Sequence, residues 1–233
     1  MEKYEYVKKN YQNLVREVKG YEDKYGRSIT IVAVTKSGTD EELKALVMAG
    51  ASDLGENRPT ELKRRAELLR EAGLTPRFHE RGNLQRNKVK LVINEATLIH
   101  SVGKYELAEE ISRQAVKLGI TIPVLIEVNS AKEPLKGGAT PDETENLFLK
   151  VRELPCISVR GLMTMGPALD NTEEMRPYFR LTKEIFDGIN TRHGFDGEPI
   201  LSMGMSESYA VAIEEGSTLI RVGRKLFEKN EGR

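Results

Sequence analysis

The 233-residue chain predicts a single (β/α)8 barrel of the TIM type, with one extra helix at its start. Three observations carry this. Eight short apolar stretches alternate with helical patterns, as in a parallel α/β fold. Several stretches are apolar throughout, which fits strands covered on both faces. A barrel of this kind takes about 250 residues, so one such domain occupies the whole of 1–233. An open doubly wound sheet is the alternative layout, because the second and third strand candidates are short.

The elements follow in order. Residues 2–24 form an amphipathic helix, with Tyr4, Val7, Tyr11, Leu14, Val15 and Val18 at helical spacing. Segment 1–26 is therefore assigned to a helix packing on the barrel. Strands are expected at 29–34, 52–54, 77–79, 98–101, 124–128, 159–164, 200–203 and 219–222. Helical patterns fall at 40–49, 104–118, 142–154 and 173–192, with shorter ones at 209–215 and after Arg224. Gly50, Gly73 and Gly119 stand where a helix C-cap favours glycine.

Composition excludes several classes. Lys plus Arg number 36 and Asp plus Glu number 36, so the basic excess of a nucleic-acid binder is missing. A lone cysteine, Cys156, rules out an intrachain disulfide and any CxxC site, and a reducing cytoplasm is expected. Residues 1–9 lack the apolar core of a signal peptide. No apolar run approaches the roughly 18 residues of a membrane span. The expected partner is a small molecule, with no membrane or nucleic acid, and the chain is read as a monomer or weak dimer.

A barrel gathers its chemistry at the C-terminal ends of its strands. Those ends here deliver Lys36, Asn57, His79 with Glu80 and Arg81, His100 with Ser101, Asn129, Met163 to Met165, Ser206, Arg221, Gly223 and Arg224. Lys36 follows an apolar strand. Burial there would lower its pKa and make the amine nucleophilic, or the side chain snorkels outward. Ser202-Met203-Gly204-Met205-Ser206 and Arg221-Val222-Gly223-Arg224 each run from strand end through glycine toward a helix start. Two such turns suit an anion, or are ordinary βα turns. Metal is not expected: His79-Glu80 lacks a second histidine at metalloprotease spacing, and His79, His100 and His193 are scattered. Neither a nucleophile elbow nor a phosphate or dinucleotide glycine fingerprint is present.

Taken together, the motifs resemble those of the pyridoxal 5′-phosphate homeostasis proteins, a family built on a barrel like the N-terminal domain of alanine racemase. The matching residues are Val32-Ala33-Val34-Thr35-Lys36, Leu54-Gly55-Glu56-Asn57-Arg58, His79 with Gly82-Asn83-Leu84-Gln85-Arg86-Asn87-Lys88, and Ile99-His100-Ser101-Val102. Arg160 through Pro167, Leu201 through Ser206, Ala212 through Gly216, and Arg221-Val222-Gly223 complete the set. The resemblance implies a carrier and regulator of intracellular vitamin B6, without robust catalytic turnover and so with no catalytic residue. It places Lys36 as the Schiff-base lysine for pyridoxal phosphate and Arg221 opposite the pyridine nitrogen. Ser206, Gly223 and the backbone beyond it, at Arg224, would hold the phosphate. Asn57, His79, Ser101 and Met203 would line the pocket.

The chain also departs from the family pattern. Glu80 and Arg81 replace two apolar residues, Arg224 and Lys225 replace a threonine and a small residue, Glu228 replaces a glycine, and Ser37 follows Lys36. An inward Glu80 needs a partner, for which Arg81, Arg224 and Lys36 are the candidates. Arg224 would alternatively clamp a phosphate. Two other readings therefore stand beside the first. One is a repurposed or engineered barrel with altered or lost pyridoxal-phosphate binding. The other is a racemase-like enzyme using Lys36, which would lack the second domain alanine racemase uses.

Overall fold

The computed structural model describes residues 4–229. Eight parallel strands close into a barrel in sequence order: β1 (Thr30–Val34), β2 (Asp53–Glu56), β3 (Arg77–Glu80), β4 (Ala96–Val102), β5 (Ile122–Val128), β6 (Ile157–Thr164), β7 (Ile200–Ser202) and β8 (Leu219–Val222). β8 pairs back onto β1, with Val32 opposite Arg221 and Ala33 opposite Val222. The closed ring excludes the open sheet. It leaves no unpaired edge, so even the three-residue β7 is held on both sides.

The helices are α1 (Glu5–Tyr25), α2 (Asp40–Met48), α3 (Pro59–Glu71), α4 (Val89–Val92), α5 (Tyr105–Leu118), α6 (Pro141–Arg152), α7 (Arg176–His193), α8 (Tyr209–Glu214) and α9 (Arg224–Phe227). The predicted helix start at 2–3 lies outside the described residues. Local chemistry sets several ends. Thr39 and Glu42 form a capping box on α2, and Thr140 and Glu143 form one on α6. α1 stops at Gly26, whose φ of 64° suits a residue without Cβ.

α1 covers the seam between β8 and β1. The helix after β8 is a single turn and cannot do so alone. Val7, Leu14 and Val18 are buried along one face of α1, which packs on α2 and α9. Each such side chain contributes about 1.5–3 kcal/mol of apolar burial. Asn10 donates its amide N–H to the carbonyls of Leu226 and Glu228, fixing α1 to the end of α9. Lys225 joins the same contact through Glu17 at 2.9 Å and the Tyr209 hydroxyl at 2.8 Å.

Strand alternation divides the interior. Outward residues such as Leu54, Ile99, Ile126, Leu162 and Met203 meet the helices. Inward residues Val32, Leu98, Leu125, Met163 and Leu219 form a small apolar plug inside the barrel. A second inward set is polar and equally buried: Asp53, His79, His100, Ser202 and Arg221. The candidate site opens above that polar layer. Among the described residues, no helix is long and apolar enough to cross a membrane.

Candidate functional site

The loop after β1 is braced before it reaches Lys36. Arg65 of α3 donates from Nη1 to the Thr35 carbonyl at 2.7 Å and to Glu56 Oε1 at 2.5 Å. Its Nη2 donates to the Gly38 carbonyl at 2.8 Å. The Thr35 hydroxyl donates to the same Glu56 carboxylate. Arg65 and Glu56 are both buried, so this ion pair is shielded from water. Lys36 stands between the clamped residues and is exposed. Of the two readings for Lys36, a buried amine or an outward side chain, the second is the one found: β1 ends at Val34, and the turn carries Lys36 out to the mouth.

Lys36 borders three adjoining cavities. One, of about 550 Å³, is also walled by Arg81, Arg221, Ser206, Gly223 and Arg224. A second, of about 340 Å³, adds Asn57, Arg81 and Glu127. The third, of about 240 Å³, reaches down to Glu56 and Arg65. Of the nine residues singled out from the sequence, six therefore share cavities with one another: Lys36, Asn57, Ser206, Arg221, Gly223 and Arg224. Ser101 borders a neighbouring cavity of about 560 Å³ with Glu127. His79 and Met203 border none of these. Met203 points outward into the helix-facing core, and His79 points inward, beneath the mouth. Their expected place on the pocket wall is corrected, because alternation along β3 and β7 sends them elsewhere.

The turn after β7 is shaped by Gly204, at φ 88°, where a Cβ would lie 2.6 Å from the Ala212 Cβ. Ser206 then accepts a hydrogen bond from the Gly223 N–H at 3.1 Å, joining the two loops. α8 has six residues and α9 four, so helix dipoles add little here. The anion-attracting character comes from side chains instead. Arg221 is buried, donating from Nη1 to Ser202 Oγ at 2.5 Å and from Nη2 to the Thr164 carbonyl at 2.9 Å. Burial pushes it down to about 9, the like charge of Arg81 adds to this, and Glu127 opposes it. It remains a cation at neutral pH. Arg224 is largely exposed at the rim, with Glu207 3.6 Å away.

Glu80 is buried, but none of its expected partners holds it. It accepts from the Ser101 hydroxyl at 2.9 Å and from the Gly82 N–H at 2.9 Å. Gly82 lies so close to Asn57 that an added Cβ would fall 2.3 Å from its carbonyl oxygen. The β3 loop is therefore pinned where Glu80 finds neutral donors. Burial raises Glu80 to about 7, against the lowering effects of these two donors and the Arg81 charge. Arg81 is half-buried, and its Nη1 is a buried donor with no acceptor. Glu127 is half-buried and raised by burial, with Arg221 lowering it. Sequence reasoning missed Arg65 and Glu127. Their signal was a charged residue interrupting an apolar helix face or an inward strand position.

Among the described residues, no group of three His, Cys, Asp or Glu is placed to hold a metal ion. The mouth instead collects Lys36, Arg81 and Arg221 around one cavity beside a serine and backbone N–H groups. Such an arrangement has the charge to attract an anion beside a primary amine.

The model of the alanine racemase N-terminal domain family matches residues 7–230. A pyridoxal phosphate homeostasis protein of Aquifex aeolicus is 41% identical over 197 residues, covering 84% of this chain and 85% of that one. The chain belongs to this family. A second homeostasis protein, from Helicobacter pylori, is 32% identical, over 86% of this chain and 88% of its own. Among solved structures, PipY of Synechococcus elongatus PCC7942 with pyridoxal phosphate bound superposes with a TM-score of 0.82 at 26% identity, covering 95% of this chain and 100% of that one. An alanine racemase of Clostridium difficile shares the fold at TM-score 0.75 and 18% identity, and the match spans 61% of that longer chain. Family membership and the closed barrel agree with the motif reading of the sequence.

Proposed function

We propose that this chain binds pyridoxal 5′-phosphate, with Lys36 as its Schiff-base lysine, and serves as a cofactor carrier and regulator without robust turnover. The observation that carries this is the shared cavity of Lys36, Arg221, Ser206 and Gly223. The residues present fit the group. A Cβ on Gly223 would come within 3.1 Å of the Val34 carbonyl oxygen, so glycine keeps that wall open. Three guanidinium groups and an amine share this cavity with two acidic side chains, Asp170 and Glu207, so cations outnumber carboxylates and a phosphate supplies the opposite charge. The family relatives named as homeostasis proteins, and the pyridoxal-phosphate-bound PipY, support the same reading.

In this reading Ser206, the Gly223 backbone and Arg224 hold the phosphate, and Arg221 meets the pyridine nitrogen. Asn57 borders the amine side. When bound, the cofactor supplies a reactive aldehyde and an electron-accepting ring. Arg221 keeps its protons where it donates them, at Ser202 and at the Thr164 carbonyl. It does not hand one to a ring nitrogen, so it cannot do what a carboxylic acid partner does to strengthen the electron sink. That disfavours chemistry that needs a strong electron sink, such as transamination.

The test is a visible absorption spectrum of the purified chain with added pyridoxal phosphate. A yellow band that disappears in Lys36→Ala is expected. A colourless protein that cannot be loaded sinks the proposal. A second reading, a barrel rebuilt for another small anion, rests on the unpartnered Arg81 Nη1. It predicts that inorganic phosphate binds normally while pyridoxal phosphate does not.

A further inference from the structure

Five buried groups run in one line through the barrel. Asp53 Oδ1 lies 3.0 Å from His79 Nε2. His79 Nδ1 lies 2.9 Å from His100 Nε2. His100 Nδ1 lies 3.1 Å from Ser202 Oγ, and Ser202 Oγ lies 2.5 Å from Arg221 Nη1. All five residues are at most 5% exposed. They come from β2, β3, β4, β7 and β8.

The two ends dictate the proton positions between them. Arg221 can only donate, and Asp53 as a carboxylate can only accept. Asp53 is held ionised, well below the usual carboxylate range, by His79, Arg77 and Ser52 against the opposing effect of burial. Arg77, exposed at the start of β3, grips it with two hydrogen bonds of 2.7 and 2.6 Å. Starting from Arg221, Ser202 Oγ accepts and its hydroxyl donates to His100 Nδ1. His100 then carries its proton on Nε2 and donates to His79 Nδ1. His79 carries its proton on Nε2 and donates to Asp53. Ser202, His100 and His79 each accept once and donate once along the line. A doubly protonated His79 would force His100 to donate to Ser202. The buried Ser202 hydroxyl proton would then have no acceptor, since Arg221 offers none. The conformation thus admits one fully satisfied proton arrangement.

We propose that this line is a one-way relay that sets the mouth from inside the barrel: His100 and Ser202 are positioning residues that aim the Arg221 guanidinium, with Asp53 as the buried counter-charge at the far end. Burying Arg221 is unfavourable, and its near neighbours include the like charge of Arg81. A chain of polarised hydrogen bonds ending on a carboxylate offsets part of that without placing an acid in the cavity. Burial, with the nearby cations Arg221 and Arg81 adding to it, holds His100 well below its ordinary value, so it stays a neutral link. The part of the proposal that concerns a ligand rests on the pyridoxal-phosphate reading above. The tautomers do not.

Two measurements test it. Histidine ring ¹⁵N–¹H spectra of the unliganded full chain at pH 7 should show His79 and His100 both protonated on Nε2 and bare on Nδ1. A proton on Nδ1 of either ring overturns the relay. Pyridoxal 5′-phosphate is then titrated into wild type, Ser202→Ala and Ser202→Thr, with retention and the pH profile of the bound absorbance as readouts. Ser202→Ala should weaken retention about tenfold and move the absorbance profile, because Arg221 loses an acceptor. Ser202→Thr, which restores the hydroxyl, should recover both. Equal retention and an unmoved profile in Ser202→Ala overturn the positioning role. Failure of wild type to load overturns the functional reading, while the relay still stands or falls on the ring spectra.

Discussion

Glu80 is a buried carboxyl at the end of β3, held by Ser101 and Gly82. Its folded value of about 7 lies above the ordinary 4.5. The folded chain therefore binds this proton more tightly than the unfolded chain, and stability falls as pH rises between those values. The stabilising contribution is whole below about 4.5 and gone above about 7. His100 works the other way, because its lowered value removes stability as pH falls below its ordinary 6.5. The two overlap in mildly acid solution, so the difference between variants is the informative quantity. Glu80→Gln keeps an oxygen to accept from the Gly82 N–H, places its NH2 to donate to Ser101 Oγ, and removes the buried charge. At pH 8 it should be more stable than wild type by about 1–3 kcal/mol, with the gap closing toward pH 5. Urea unfolding at both pH values measures this, and a constant gap would refute the assignment. Arg81 is the complementary case. Its buried Nη1 has no acceptor, so Arg81→Met should stabilise the unliganded chain by about 1–2 kcal/mol. A lower melting temperature in anion-free buffer would show that the guanidinium is better satisfied than its surroundings imply.

At the scale of elements, the buried pair Arg65–Glu56 joins α3, β2 and the loop that carries Lys36. Arg65→Leu leaves the Glu56 carboxylate with only the Thr35 hydroxyl, which should lower stability by about 3–5 kcal/mol. The double change Glu56→Leu with Arg65→Leu should recover much of that loss, yet take the Arg65 donor from the Gly38 carbonyl and leave the Thr35 carbonyl with the Gly38 N–H alone. Denaturant midpoints of the three variants test the pairing. A double variant no better than the single one would place the stabilising contribution in the carbonyl contacts instead. The same residue shows why the sequence reading assigned no helix where α3 lies. Arg65 occupies its buried face between Leu62 and Leu69 and interrupts the apolar stripe, so only its end at Gly73 was recognisable. The strands were easier. Most are largely apolar runs, although β2 and β3 hold only Leu54 and Phe78 as large apolar residues, and 98–101 fell short of Ala96–Val102, whose start is broken by the exposed Thr97. Lys36, Ser206, Arg221 and Gly223 were legible for the same reason, as polar or glycine residues at strand ends. The Asp53–His79–His100–Ser202–Arg221 line was not. Its members are remote in sequence, and only barrel closure brings them into hydrogen-bonding distance.

Across the whole molecule, the balanced charge of the chain hides a local imbalance. Lys36, Arg81, Arg221 and Arg224 border one cavity with Asp170 and Glu207 as its acidic neighbours. The walls of that cavity come from both ends of the sequence, since β1 and the loops after β7 and β8 meet where the barrel closes. An anion there would tie the first strand to the last. It would bind the folded chain and not the unfolded one, so mass action makes it a stabiliser. Pyridoxal phosphate at about 100 times its dissociation constant should add about 2.7 kcal/mol to unfolding. Pyridoxal, lacking the phosphate, should add much less at the same concentration. Lys36→Ala should abolish the yellow band but keep part of the phosphate-dependent gain, since Ser206, Arg221 and Gly223 remain. Raising salt should erode the contribution of exposed Arg224 more than that of buried Arg221. Melting curves with the two vitamers, in wild type and Lys36→Ala, separate the amine from the anion cradle. Equal stabilisation by pyridoxal and its phosphate would mean that the cations at the mouth do not hold the phosphate.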